Sequence, residues 1–143
     1  MSARPIAIAV IRRAHGALLV TSAVEPGTAE AGSPRTLVRP PGGGIEQGET
    51  AGDAAVRELQ EELGVEITGV RPLGAIEHRI RFAGRELHEL VHVVAAEMGA
   101  DASLPSTTDA GHPVWWLPVD RFDDPSLELV PAGLVALLAD VSG

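Results

Sequence analysis

The chain has 143 residues, 45% apolar and 22% charged, which is enough to bury a core and too few for two full-sized domains, so residues 1–143 read as a single domain. It contains no Cys, which excludes disulfide scaffolds, thiolate metal sites and thiol catalysis. A formal net charge of −9 argues against a protein that grips a nucleic acid polymer and suits an acidic site filled by divalent cations.

Ile6 to Ile11 is an uninterrupted apolar run of strand length, and Ala17 to Val20 is a second, so the two predict a hairpin closed by the turn at His15-Gly16. From Thr21 to Arg35 the periodicity gives way to Gly, Pro, Ser, Ala and Glu, which predicts a mobile loop over about 21–35. Leu37-Val38 re-enters the sheet. Arg39-Pro40-Pro41-Gly42-Gly43-Gly44 is too stiff and then too permissive for helix or strand and predicts a shaped loop. Thr50 with Asp53 forms a capping-box-like start and Gly64 an αL stop, so a helix of roughly 21 Å lies between them. Its apolar face is read as Gly52, Ala55, Val56, Leu59 and Leu63. Val70 to His78, Ile80 to Phe82 and Leu87 to Ala96 predict strands, the last of them central, with a turn at Ala83-Gly84-Arg85. Asp101 to His112 is a polar loop, Val114 to Leu117 a short strand, and Pro131 to Val141 a helix that faces Leu134, Leu137 and Leu138 inward. The order predicts an α/β fold.

Chemistry concentrates between Gly43 and Val65. Glu58, Glu61 and Glu62 stand at i, i+3 and i+4 on the predicted helix, so their carboxylates project from one side, about 5–6 Å apart at Cβ. Three adjacent carboxylates repel, and two readings stay open for them alone: a solvated acidic face, or ligands for a hard divalent cation. Arg57 reaches Glu61 at i+4, and Glu49, just before the helix, can fold back onto Arg57. Such pairing orients ligands rather than binding substrate.

The full pattern, Gly43-x5-Glu49-x7-Arg57-Glu58-Leu59-x-Glu61-Glu62-x-Gly64-Val65, resembles the box of the Nudix hydrolases at every position. The surrounding order is also similar to the Nudix fold, a mixed β-sheet sandwiched between helices. The resemblance implies metal-dependent hydrolysis, with Mg²⁺ or Mn²⁺, of a pyrophosphate bond in a nucleoside diphosphate linked to another moiety: a nucleoside triphosphate, nucleotide sugar or dinucleotide. It implies Glu58, Glu61, Glu62 and the Gly42 carbonyl as metal ligands, one Glu, within this stretch (Glu58 and Glu61 being catalytic candidates) or elsewhere, as general base, and Glu49 and Arg57 as the groups that hold the helix. The rival of a different class is a catalytically silent Nudix-like module that senses a nucleotide; the intact acids favour the enzyme. A calcium-binding helix fails because no EF-hand loop spacing occurs.

Beyond this stretch, Glu89 and Asp109 are candidates for an extra ligand or base, Glu89 on a strand of a rigid sheet and Asp109 in a loop able to close over substrate. Arg39, Arg79 and Arg81 can stack on a base or bind phosphate, although all 11 positive residues of this chain are Arg, which lowers the weight of each. His15, His78, His92 and His112 lack metal-like spacing. Phe82, Trp115, Trp116 and Phe122 are the sole aromatics, and the two Trp read as packing anchors, which predicts weak discrimination among bases. The expected partner is a small-molecule nucleotide, without a nucleic acid polymer or membrane; a homodimer is compatible. No apolar run reaches the roughly 20 residues of a spanning helix and Ile6 to Ile11 is short for a signal segment, so a cytoplasmic location is the expectation.

Overall fold

A computed structural model of the chain describes residues 3–29 and 32–141. The fold is α/β, and both of its four-stranded sheets are mixed. The first has the order β4-β1-β6-β5, from Gly42–Gly44, Arg4–Val10, Arg85–Met98 and Ile67–Phe82. The second has the order β7-β2-β3-β8, from Val114–Leu117, Leu18–Glu25, Arg35–Arg39 and Glu128–Leu129. Two helices, α1 (Ala51–Leu63) and α2 (Leu134–Val141), pack on them.

The apolar run at the start of the chain serves two cores at once. Ala7, Ala9 and Ile11 pack with Ala55, Leu59 and Leu63 of α1, whereas Ile6, Ile8 and Val10 pack with Leu18, Val38, Val91 and Leu134. Period-two alternation thus buries both faces of β1, which is why no polar residue interrupts it. Each fully buried aliphatic side chain contributes about 1.5–3 kcal/mol. The expected hairpin does not form as a ladder. β1 has both edges occupied, by β4 antiparallel and β6 parallel, so β2 pairs with the residues just after β1, through the Arg12–Leu18 bridge and the Leu19 N–H to the Ile11 carbonyl, before entering the second sheet.

Other expectations are corrected by long-range pairing. Residues 21–25 are strand, in register with β3 from Thr21–Arg39 to Glu25–Arg35. The connecting loop is therefore 26–34, of which residues 30 and 31 lie outside the described ones. The Gly triplet is not a loop but β4, paired with β1. β5 runs unbroken through Arg79, with two register shifts, where two strands were expected. β8 has only two residues and carries no periodic signal. The turn sits at Ala83-Gly84 as read, with φ of 53° and 75°, and β6 lies inside its sheet between β1 and β5.

Both ends of α1 follow their residues: Thr50 Oγ1 accepts from the Asp53 N–H at 3.1 Å, and Gly64 takes φ +67°. Its buried face is Ala54, Ala55, Leu59 and Leu63; Val56, read as inward, is 41% exposed. It lies about 100° round from Ala55, just outside the stripe. Leu134 and Leu138 of α2 are buried and Leu137 meets Gly74, although the helix begins three residues later than Pro131.

Gly42 is required by contact. A Cβ there would fall 1.9 Å from the Ala7 carbonyl oxygen, which is backbone and cannot step aside. Gly42→Ala is expected to cost about 3 kcal/mol in a denaturant titration, while Gly99→Ala, where nothing lies within 4 Å, stays within about 0.5 kcal/mol. Equal midpoints for the two variants would contradict the strand pairing.

Candidate active site

α1 presents its acids toward β4, and Arg57 is the residue that organises them. Its Nε donates to Glu49 Oε2 at 2.8 Å and its Nη2 to Glu49 Oε1 at 2.9 Å, a bidentate pair. Nη1 donates to Glu58 Oε1 at 3.0 Å and to Glu61 Oε2 at 3.3 Å, and Nη2 also reaches the Gly44 carbonyl at 2.9 Å. One guanidinium thus ties the helix to the segment before it and to β4. The surrounding acids raise its pKa further, so it stays charged.

These hydrogen bonds, together with one from the Glu46 backbone, lower the Glu49 carboxyl from 4.5 to about 2. Because the folded value is depressed, the stability from this pair is fully present above about pH 4.5 and is lost as pH falls through about 2. In acid titrations of wild type and Glu49→Gln, the stability difference is expected to shrink across that window. A difference that stays constant down to pH 2 would contradict the assignment.

Glu58 lies against Gly43, where an added Cβ would stand 2.5 Å from its carboxyl carbon; glycine leaves the space the carboxylate uses. Glu62 is driven up to about 7, first by desolvation and next by the charge of Glu58. Arg39 pulls the other way, Asp109 adds to the rise, and a hydrogen bond from the Gly42 backbone lowers it. Glu61 is exposed and is tied to the cluster by its bond to Arg57. Among the described residues no group of three acids and histidines already stands in an arrangement that could hold a metal ion. The donor set nevertheless suits a hard divalent cation: every side-chain donor is a carboxylate oxygen, and a cation would relieve the repulsion between Glu58 and Glu62.

Residues outside the helix divide into those brought to this site and those that are not. Glu89 is buried at 6% exposure on β6 and pairs with Arg39 at 3.6 Å. Asp109 sits beside the end of α1, with its N–H donating to the Glu62 carbonyl at 3.2 Å. Its loop is held by its own hydrogen bonds: the N–H of Thr108, itself buried, donates to the His112 carbonyl at 2.8 Å, and Thr108 Oγ1 accepts from the His112 N–H at 3.1 Å. Arg79 and Arg81 are exposed on β5, alternate with the half-buried His78, Ile80 and Phe82, and line a separate cleft with Glu86 and His88. Arg81 pairs with Glu86 at 3.7 Å.

A cleft missed in the sequence runs between the sheets beside Arg39 and Glu89. Leu37, His78, Ile80, Phe82 and Leu87 are among the residues that line its roughly 160 Å³. The signal was the alternation of β5 with the hairpin β2–β3, unreadable while residues 21–25 were taken as loop. Trp115 and Trp116 are both half-buried in the packing, Trp115 Nε1 donating to Ser22 Oγ at 3.1 Å and Arg13 lying 4.6 Å over the Trp116 ring.

Against known proteins, residues 2–138 match the NUDIX domain family. An uncharacterized Nudix hydrolase, orf19, of Rhodococcus erythropolis is 36% identical over 108 residues, which are 69% of this chain and 57% of that protein. This chain thus spans little more than half the length of that relative. A NUDIX hydrolase from Nitrosomonas europaea superposes with a TM-score of 0.66 at 18% identity, covering 99% of this chain and 89% of the other. The MutT NUDIX hydrolase from Burkholderia pseudomallei gives 0.62 at 24% identity, covering 96% and 98%. These last two likenesses show the fold.

Proposed function

This chain belongs to the Nudix hydrolase family, and on that premise we propose that it hydrolyses a pyrophosphate bond in a nucleoside diphosphate linked to another moiety, with Mg²⁺ or Mn²⁺. The observation that carries the reading is the Arg57 cluster, which fixes Glu49, Glu58 and Glu61 against the glycine strand β4. Glu58, Glu61, Glu62 and the Gly42 carbonyl would hold the cation. When bound, it neutralises charge on the phosphate oxygens and acidifies water.

The chain's own residues supply the rest. Gly43 leaves the Glu58 carboxylate room against β4, where a Cβ would stand 2.5 Å from its carboxyl carbon. Arg39, at the junction of the acids and the inter-sheet cleft, offers a cation to a phosphate oxygen once it exchanges Glu89 for substrate. Glu58, Glu61, Glu89 or Asp109 accepts the proton of the attacking water on a carboxylate oxygen. No protein nucleophile is needed. The bound partner is a small nucleotide.

Release of phosphate or nucleoside monophosphate from a panel of adenine, guanine, cytosine and uracil compounds, with Mg²⁺ and a chelator control, tests this. Chelator-sensitive turnover supports the hydrolase, and saturable binding without turnover would instead make the chain a sensor. With Phe82 as the single Phe, Tyr or Trp among the described residues that line the cleft, efficiencies are expected to agree across bases within roughly a hundredfold. The two acids outside the helix are expected to separate. Glu89→Gln shifts the Mg²⁺ concentration for half-maximal activity, whereas Asp109→Asn lowers turnover at unchanged metal dependence. Unchanged curves and turnover in both variants would leave the helix acids and water as the whole machinery.

A further inference from the structure

One wall of the inter-sheet cleft is a ribbon that its own sheet does not support. β1 pairs with β6 from Glu89 to Ala95, so among the described residues 85–88 of β6 and their partners 79–82 of β5 extend past β1 as two strands joined by the Ala83-Gly84 turn. A two-stranded ribbon is marginally stable on its own. Residues directly opposite in an antiparallel pair share a face; Ile80 and Leu87 are such a pair, and with Phe82 they line the cleft. The facing wall is the β2–β3 hairpin, where Ala23 stands opposite Leu37.

β3 reaches across to the β5–β6 hairpin from both of its ends. Arg39 pairs with Glu89 of β6 at 3.6 Å, beside the helix acids. Four residues along β3, roughly 13 Å at 3.3 Å per residue, Arg35 Nη1 donates to the Arg81 carbonyl at 2.6 Å and pairs with Glu25 at 3.6 Å. Its Nε and Nη2 hold Glu128 of β8 at 2.7 and 3.0 Å, which fixes the guanidinium to the second sheet. Glu25, buried at 7% exposure, accepts the N–H of Ala83 in the turn itself. A buried carboxylate is costly unless paired, so lifting the turn would strip Glu25 of a partner. Glu25 and Arg35 line a cavity of about 480 Å³ beside the tip and not the cleft, so they act on the cleft through the ribbon. The cleft itself, about 160 Å³, is well below the roughly 300–1,000 Å³ of ordinary small-molecule sites.

We propose that Glu25 and Arg35 latch the tip of the ribbon against the second sheet and thereby set the size of the base that the cleft admits. With the latch closed, the narrow cleft favours the single ring of a pyrimidine over the two fused rings of a purine, a bias that stays within the spread expected across bases. Whatever is linked beyond the phosphates lies at the Arg39 end and is not selected by the latch. Glu25 and Arg35 touch no reacting atom and are positioning residues. The proposal rests on the hydrolase reading for its substrates, and a readout without substrate keeps the two failures apart.

Hydrolysis of CTP and of ATP is compared at saturating Mg²⁺ in wild type, in E25Q and in the double variant E25A/R35A, which removes both charges together. Wild type is expected to favour CTP in kcat/KM by roughly tenfold. The double variant is expected to lose that preference because its KM for ATP falls roughly tenfold with kcat within about threefold. E25Q, whose amide oxygen can still accept the Ala83 N–H, is expected to keep the wild-type ratio within about threefold. A merely structural role would weaken both substrates together. A ratio unchanged within about threefold in a folded double variant therefore overturns the latch, as does a wild type that treats the two compounds alike. Should the double variant not fold, R35K decides, since lysine keeps a cation beside Glu25 but cannot span Glu128 and the Arg81 carbonyl together; its ratio is expected to fall by about threefold or more, and a smaller change overturns the proposal. Should wild type turn over no nucleotide, the hydrolase reading fails while the latch is still read without substrate. The chain has no Cys, so spin labels on R85C at the ribbon and D120C after β7, both exposed positions, report the distance between the tip and the second sheet. Added to that labelled pair, E25A/R35A or R35K is expected to lengthen and broaden the distance distribution, and an unchanged distribution overturns the latch.

Discussion

Glu58→Gln and Glu62→Gln are each expected to lower turnover at saturating Mg²⁺ by roughly a hundredfold or more, about 2.7 kcal/mol of transition-state stabilisation, while the fold survives. The geometry explains both halves. Glu58 and Glu62 face β4 from one side of α1, and the charge of Glu58 adds to the cost of ionising Glu62, so replacing either by a neutral isostere removes that repulsion in the absence of metal. Apo stability should hold or rise slightly. Glutamine, however, is a poorer partner for a hard divalent cation than a carboxylate. The measurement is kcat across a Mg²⁺ titration, paired with a thermal melt in chelator. Near-normal turnover in both variants would remove the metal assignment.

Arg57 is expected to tolerate no replacement, including the one that keeps its charge. Its guanidinium meets both oxygens of Glu49 while also reaching Glu58, Glu61 and the Gly44 carbonyl. A lysine ammonium is a point charge and cannot span that set. Arg57→Lys should therefore lose roughly tenfold in kcat and Arg57→Ala roughly a hundredfold, the range expected when a group that orients metal ligands is lost. In both variants the Mg²⁺ requirement should rise, which distinguishes loss of ligand orientation from loss of substrate binding. Full turnover in Arg57→Lys would show that charge alone suffices and would contradict the clamp.

Local signals explain which parts of the molecule were legible in the amino-acid sequence. α1 could be placed almost to the residue because its cap at Thr50, its stop at Gly64 and the Leu59–Leu63 spacing are all short-range. The same stretch carries the acids and Arg57, so most of the candidate site lies within one helix and the strand beside it. Val56 escaped because a stripe drawn on spacing alone is uncertain by one position at its edge. What failed depends on partners far along the chain. Whether Ile6 to Ile11 pairs with the next strand is decided by β4 and β6, which claim its edges first. Gly42 to Gly44 looks like a loop until Ala7 is placed against it, and residues 21–25 look like a loop until β3 and Ala83 satisfy their polar groups. Arg79 and Arg81 could not be assigned to a face before the register of β5 was known. The inter-sheet cleft was invisible for the same reason: it is made by β2, β3, β5 and β6 together.

On the reading proposed above, the acids of α1, set against the glycine strand, hold a divalent cation. Titration of Mn²⁺ by electron paramagnetic resonance, on wild type and on a Glu58→Gln/Glu62→Gln double variant, reads this without any substrate. Stoichiometric Mn²⁺ binding by the wild type, displaceable by Mg²⁺, is expected, with affinity weakened by roughly tenfold or more in the double variant. Equal Mn²⁺ affinity in the two proteins, both folded, would contradict it.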